Sequence, residues 1–101
     1  MAAIARQGDP TSTGHGCTGT TTITGPTGAA AKVFANGIPI ECVGNPTVVH
    51  SYGGKNCSAS HAAAINAGSS NVFVGGVGVA RVSDSTDGGA ILSGSGNVFA
   101  N

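Results

Sequence analysis

Three histidines, His15, His50 and His61, and three cysteines, Cys17, Cys42 and Cys57, are the residues of this 101-residue chain best suited to chemistry. Each histidine lies between short apolar segments. His15 follows Gly8-Asp-Pro-Thr11, His50 follows Gly44-Asn-Pro-Thr47, and His61 opens the stretch leading to Ile65. Corresponding loops of a closed repeat point to one end, so the three imidazoles are expected to form a metal site. Cys57 and His61 make a Cys-x3-His spacing that one turn can wrap around an ion. His15 and Cys17 are two apart, which puts both on one face of an extended segment. Three His and one Cys satisfy tetrahedral zinc with borderline and soft ligands. Cys42 lies in the apolar stretch 38–43 and reads as a small core residue. A disulfide between Cys17 and Cys57 is a further reading, although three cysteines leave one unpaired and do not indicate a disulfide framework.

Other chemistry is weakly represented. Asp9 and Asp84 occupy equivalent repeat positions and are expected to cap turns through their own backbone. Arg6 and Arg81 are also equivalent, and the sequence suggests that they face Glu41 in the middle copy, pairing or covering apolar surface at a strand edge. Gly14-His-Gly-Cys-Thr-Gly19 is glycine-rich, but no P-loop lysine follows it, so phosphate binding is disfavoured. No nucleophile elbow surrounds any serine.

The elements that must position these residues come from a repeat. Lys32-Val-Phe-Ala-Asn-Gly37, Asn71-Val-Phe-Val-Gly-Gly76 and Asn97-Val-Phe-Ala-Asn101 match one another. So do Ile4-Ala-Arg-Gln-Gly-Asp-Pro-Thr11, Ile40-Glu-Cys-Val-Gly-Asn-Pro-Thr47 and Val79-Ala-Arg-Val-Ser-Asp-Ser-Thr86. A third set starts at Ile23, Ile65 and Ile91. The segments are short and bounded by Gly, Asn, Ser and Pro, as β-structure requires. Asn36-Gly37 and Gly75-Gly76 suit two-residue type I′ hairpins, because both positions tolerate positive φ. A single leucine and 18 glycines exclude a helical bundle. The expected fold is all-β: one domain over residues 1–101, a small cone of three strand-turn repeats with pseudo-threefold symmetry. Periodicity fits an open solenoid equally well, but the two ends supply adjacent pieces of one unit and favour closure.

Composition narrows the function. Four Lys+Arg balance four Asp+Glu, and four scattered cations cannot neutralise many phosphates, so nucleic acid is not an expected partner. No apolar run reaches the roughly 20 residues of a spanning helix, and the first ten residues lack the pattern of a Sec-type signal.

Taken in order, Gly8-Asp-Pro-Thr11, Gly14-His-Gly16, Val33-Phe-Ala-Asn-Gly-Ile-Pro39, Val43-Gly-Asn-Pro46, His50, Cys57, His61, Gly68-Ser-Ser-Asn-Val-Phe73, Val79-Ala-Arg-Val82, Asp84 and Gly94-Ser-Gly-Asn-Val-Phe99 resemble the PAAR-repeat proteins. The likeness runs over nearly the whole chain. It implies a non-enzymatic, cone-shaped tip that caps a trimeric β-helical spike and sharpens it for piercing a target cell envelope. The settings implied are contractile phage tails and type VI secretion systems. The chain would be made in the bacterial cytoplasm, carried at the tail tip or secreted there as a monomer on a homotrimer, and would touch the target outer membrane transiently. It would carry no effector extension; the short chain tilts the reading towards a phage. The base would be formed or approached by the strand ends near Ile4–Gln7, Val33–Phe34, Val72–Phe73 and Val98–Asn101. The resemblance also implies one structural zinc near the apex, held by three His and one Cys. The histidines carry over to His15, His50 and His61. Where the family's Cys is expected, before paired glycines, this chain has Asp87. Cys57 is therefore the expected fourth ligand, with Cys17 next and Asp87 third. Two other classes fit parts of the sequence: a small zinc hydrolase with water in the fourth position, and a free-standing β-repeat binding module suggested by Thr18 and Thr20 to Thr22.

Overall fold

A computed structural model describes residues 2–26 and 28–101. It is an all-β molecule with extents of 41 × 24 × 23 Å. The strands are β1 (Ala2–Ala3), β2 (Pro10–Ser12), β3 (Thr20–Thr22), β4 (Phe34–Ala35), β5 (Ile38–Pro39), β6 (His50–Gly53), β7 (Ala59–His61), β8 (Phe73–Val74), β9 (Val77–Gly78), β10 (Ser85–Thr86), β11 (Gly89–Ala90) and β12 (Phe99–Ala100). They form six antiparallel pairs: β1 with β12, β2 with β3, β4 with β5, β6 with β7, β8 with β9, and β10 with β11. The β1–β12 pair joins the two ends of the described chain, Ala2 opposite Ala100. Short 3-10 turns cover Gly28–Lys32 and Lys55–Cys57.

Two hairpins follow directly from their turn residues. Asn36 and Gly37 have φ of 57° and 79°, and Gly75 and Gly76 have φ of 61° and 83°. Positive φ at both central positions matches the right-handed twist of the flanking strands. Period-two alternation then sorts the side chains. In β4, β8 and β12 the phenylalanines Phe34, Phe73 and Phe99 face solvent, while Ala35 and Ala100 are buried.

Three runs, two from these hairpins and one from the β1–β12 pair, meet in a ring. Ala5 N–H donates to Ala80 O (2.9 Å), Ala80 N–H to Glu41 O (2.9 Å), and Glu41 N–H to Ala5 O (3.0 Å). The cycle is closed, a point that periodicity left open. Its neighbours bridge in the same rotation: Ile4 with Arg81, Arg6 with Ile40, and Cys42 with Val79. Further along, Ile23, Ile65 and Ile91 bridge to Thr47, Thr86 and Thr11.

The apolar interior follows this arrangement. One cluster gathers Ile4, Ile40, Val79 and Cys42 with Ala35 and Ala100. The other gathers Ala5 and Ala80 with Ile23, Ile65 and Ile91. Each isoleucine is about 1 % exposed, and burying such a side chain fully stabilises by about 1.5–3 kcal/mol. Cys42 is a core residue as expected, and burial pushes its thiol above the ordinary range. Turn capping also matches expectation. Asp9 Oδ2 accepts from Arg6 N (2.7 Å), Asn45 Oδ1 from Cys42 N (2.8 Å), and Asp84 Oδ2 from Arg81 N (2.8 Å).

Glu41 departs from expectation. The arginines do not face it: Arg6 pairs with Asp9 at 3.5 Å and Arg81 with Asp84 at 2.9 Å, each three residues along its own run. Those carboxylates are held beside the guanidinium by the turns that they cap. Glu41 instead takes the ring place filled by Ala5 and Ala80, fully buried, and neither carboxyl oxygen has a hydrogen-bond partner among the described residues. Burial, with the charge of Asp9 adding to it, pushes its pKa up to about 8. The unfolded chain ionises Glu41 from its ordinary 4.5 upward, whereas the folded chain resists until about 8. Stability is therefore lost as pH rises through that window. Glu41→Ala should raise the melting temperature. Its advantage over the wild type should widen across the window by up to about 1.4 kcal/mol per pH unit and then level off. Thermal unfolding of both proteins at a series of pH values checks this; a constant gap would show that Glu41 is not held neutral.

Candidate metal centre

Past the ring, each run delivers a ligand. The first passes Ala5, Asp9 and Thr11 to His15; the second passes Glu41, Asn45 and Thr47 to His50; the third passes Ala80, Asp84 and Thr86 to Asp87. His61 returns on β7. It stands directly opposite His50 in the β6–β7 register, so both imidazoles project from one face of the hairpin.

Local bonding fixes the loops. In the β2–β3 connection, Thr13 N–H donates to Gly19 O (3.0 Å), and the buried Thr13 hydroxyl accepts from His15 N (3.0 Å) and donates to Thr18 O. Asp87 starts the two-residue turn between β10 and β11, with φ of 57°. Gly88 N–H donates to Thr13 O (3.0 Å), tying that turn to the His15 loop. The approach is close enough to need Gly14: a Cβ there would lie 2.5 Å from Gly88 O, and its φ of 77° also suits glycine.

Four ligand atoms converge, all within 4.8 Å of one another, from His15, His50, His61 and Asp87. His15 Nε2 lies 2.7 Å from Asp87 Oδ1. His50 Nε2 lies 2.7 Å and His61 Nε2 3.0 Å from Asp87 Oδ2, and these two nitrogens are 3.0 Å apart. His50 is buried, and its Nδ1 lies 3.0 Å from Val48 O. A carbonyl only accepts, so Nδ1 carries the proton there. Neutral His50 then turns an Nε2 lone pair towards a carboxylate oxygen 2.7 Å away. Two lone pairs at that distance repel unless a proton or a metal cation lies between them. The backbone carbonyl thus fixes the tautomer of a metal ligand. Around a metal with bonds of about 2.0–2.1 Å, tetrahedral ligands sit about 3.3 Å apart, a few tenths of an ångström wider than these contacts. The group can hold a metal ion. Where a proton and not a metal lies in those contacts, burial acts to raise the Asp87 carboxyl, but hydrogen bonds from His50, His15 and His61 together outweigh it and hold the group below its ordinary value.

The structure brings together His15, His50 and His61, as expected from the sequence, but not Cys57. Cys57 is bonded to Cys17 in a disulfide with a Cα–Cα distance of 5.8 Å, so neither sulfur is a thiolate ligand. Asp87, third in the sequence-based order, takes the fourth place. Tyr52 was not anticipated. Its ring stacks on His61 with centroids 4.3 Å apart and tilts towards His15 at 5.8 Å. The only signal for it was its place two residues beyond His50 on the same hairpin.

Comparison of the chain with models of known protein families gives no match, and comparison with curated proteins gives none either.

The ligand assignment makes a direct prediction. Wild-type protein dialysed to equilibrium against saturating divalent metal should carry about one ion per chain above the dialysate. Asp87→Ala and His50→Ala should each carry none, whereas Cys57→Ser should still reach one at saturating metal. Elemental analysis of the four proteins checks this; loss of the ion in Cys57→Ser alone would restore the thiol ligand.

Proposed function

We propose that this chain is a PAAR-repeat tip: a non-enzymatic cap on a trimeric β-helical spike, sharpened for piercing a target cell envelope and stiffened by a structural zinc at its apex. The observation that carries this reading is the set of three Phe-bearing strand pairs, the hairpins β4–β5 and β8–β9 and the terminal pair β12–β1, from which the runs pass through one closed ring before they reach the ligands. Phe34, Phe73 and Phe99 are 57 %, 54 % and 48 % exposed, with Ile38 and Val77 beside them in the paired strands. Three like apolar strand pairs suit a partner that presents three identical chains, and covering them removes an association hazard. This hairpin end is the base. The His15, His50, His61 and Asp87 end is the apex, in brief contact with the target outer membrane.

Three imidazoles and a carboxylate suit zinc. Four donors from the chain are enough for a tetrahedral shell, which supports a structural ion over a hydrolytic one with a bound water. Such an ion adds folding free energy on the order of 10 kcal/mol in small domains, at the end of the molecule where side chains available for packing are fewest. The setting would be a phage tail tip or the tip of a secretion apparatus.

Mixed with a trimeric β-helical spike, the chain should bind at one copy per trimer, read by size-exclusion chromatography with light scattering. Phe34→Asp with Phe73→Asp should abolish the complex and leave the metal content unchanged. Asp87→Ala should keep the complex while lowering the melting temperature. A folded, metal-loaded wild type that ignores such spikes would overturn the tip reading.

A further inference from the structure

The disulfide lies beside the metal centre and is not explained by it. Cys17 follows His15 by two residues, and Cys57 precedes His61 by four. The two half-cystines are therefore in the loops that present two of the four ligands. Both are exposed, so a redox partner can reach them. Apart from the Gly88 N–H bond to Thr13 O, the backbone bonds of each loop stay within it. One has Thr13 N–H to Gly19 O; the other has Cys57 N–H to Gly54 O and Ser58 N–H to Lys55 O. The Cys57 loop is also held in an uncommon conformation, with Asn56 and Cys57 at φ of 55° and 56°. Left-handed φ is unfavourable for residues other than glycine and persists only where the surroundings impose it. The crosslink is such an imposition. His50, by contrast, is buried and fixed by Val48 O, and Asp87 is fixed through the Gly88 bond to Thr13. His61 is paired with His50 across β6–β7, so the disulfide joins the loop of His15 to the hairpin that carries the other two imidazoles.

We propose that the Cys17–Cys57 disulfide is a redox lock on the metal centre, holding the His15 and His61 loops at ligating distance so that the ion is bound tightly only when the bond is formed. The inference rests on the metal reading above. In the locking step, the Cys17 and Cys57 thiols lose two protons and two electrons to a disulfide oxidant. One S–S bond forms in the protein, and the oxidant is reduced to two thiols. In a reducing compartment, where such bonds do not persist, the site is loose; in an oxidising one it is set. A preorganised ligand set binds more tightly because less ordering remains to be done on binding.

The test is a zinc competition titration against a chromophoric chelator, without oxygen, on the full chain in three forms: oxidised wild type, wild type reduced with a phosphine, and Cys17→Ala with Cys57→Ala. The oxidised protein should bind one zinc. The reduced protein and the double variant should bind about 10- to 100-fold more weakly, the loss typical when groups that orient ligands are removed. Oxidised glutathione should restore the affinity of the reduced wild type and leave the double variant unchanged. Equal affinity in all three forms would overturn the lock while leaving the metal reading intact. Tighter binding on reduction, with a thiolate-to-cobalt charge-transfer band when cobalt replaces zinc, would overturn it in favour of thiol ligands. Loss of the far-UV circular dichroism on reduction would also overturn it, because the crosslink would then hold the fold and not the site. Failure of the oxidised protein to bind any zinc would overturn the metal reading and the lock together.

Discussion

Everything in this molecule hangs on three main-chain hydrogen bonds that close on themselves. The ring of Ala5, Glu41 and Ala80 is too tight for three large inward side chains, and two of its members are alanine. The space is filled from beyond by Ile23, Ile65 and Ile91, each nearly inaccessible to water. Backbone groups buried this deeply need partners, and the cycle supplies them without any sheet wider than two strands. Strands of two to four residues suffice because each run pairs briefly, crosses to a neighbour and pairs again.

The ring also separates two chemistries. On one side of it lie the strand pairs with exposed Phe34, Phe73 and Phe99; on the other the runs carry threonine hydroxyls, then imidazoles and a carboxylate. Packing is apolar around the ring and becomes polar towards the ligands, where Thr13, Val48 and Gly88 hold the loops through directed bonds. A metal ion is suited to such a place, because it ties together residues that no hydrophobic cluster reaches.

Much of this was legible from residue types. Asn36-Gly37 and Gly75-Gly76 announced their hairpins, since few other residue pairs accept two positive φ values. Asp9 and Asp84 announced their turns, and three histidines in corresponding stretches announced a cluster. The fourth ligand was not legible in the same way. The spacing of Cys57 and His61 is a local signal, and local signals say nothing about which sulfur another loop will reach. Counting cysteines pointed away from a disulfide, yet Cys42 belongs to the core by its strand position. Setting it aside leaves one pair. Asp87 was visible only through its place before Gly88-Gly89, where the close approach of the Thr13 and Ser12 carbonyls leaves no room for a side chain. The signal for Glu41 was its alignment with Ala5 and Ala80 in the repeat; its neighbours in sequence read as an ordinary strand, and its burial follows from the ring, which is a property of three distant segments.

The pairing of β1 with β12 bears on how such a chain is made. Ala2 and Ala3 pair with Ala100 and Phe99, nearly the full described length away. The ring likewise needs Ala80 before Ala5 has an acceptor. Contacts so distant along the chain fold slowly, because the entropy of closing long loops is lost before any contact compensates for it. During synthesis the early segments emerge from the ribosome with their pairing edges open and Phe34 uncovered. A nascent chain of this design waits until its last strand is free, and its yield in a cell is set by how well it avoids other chains during that wait.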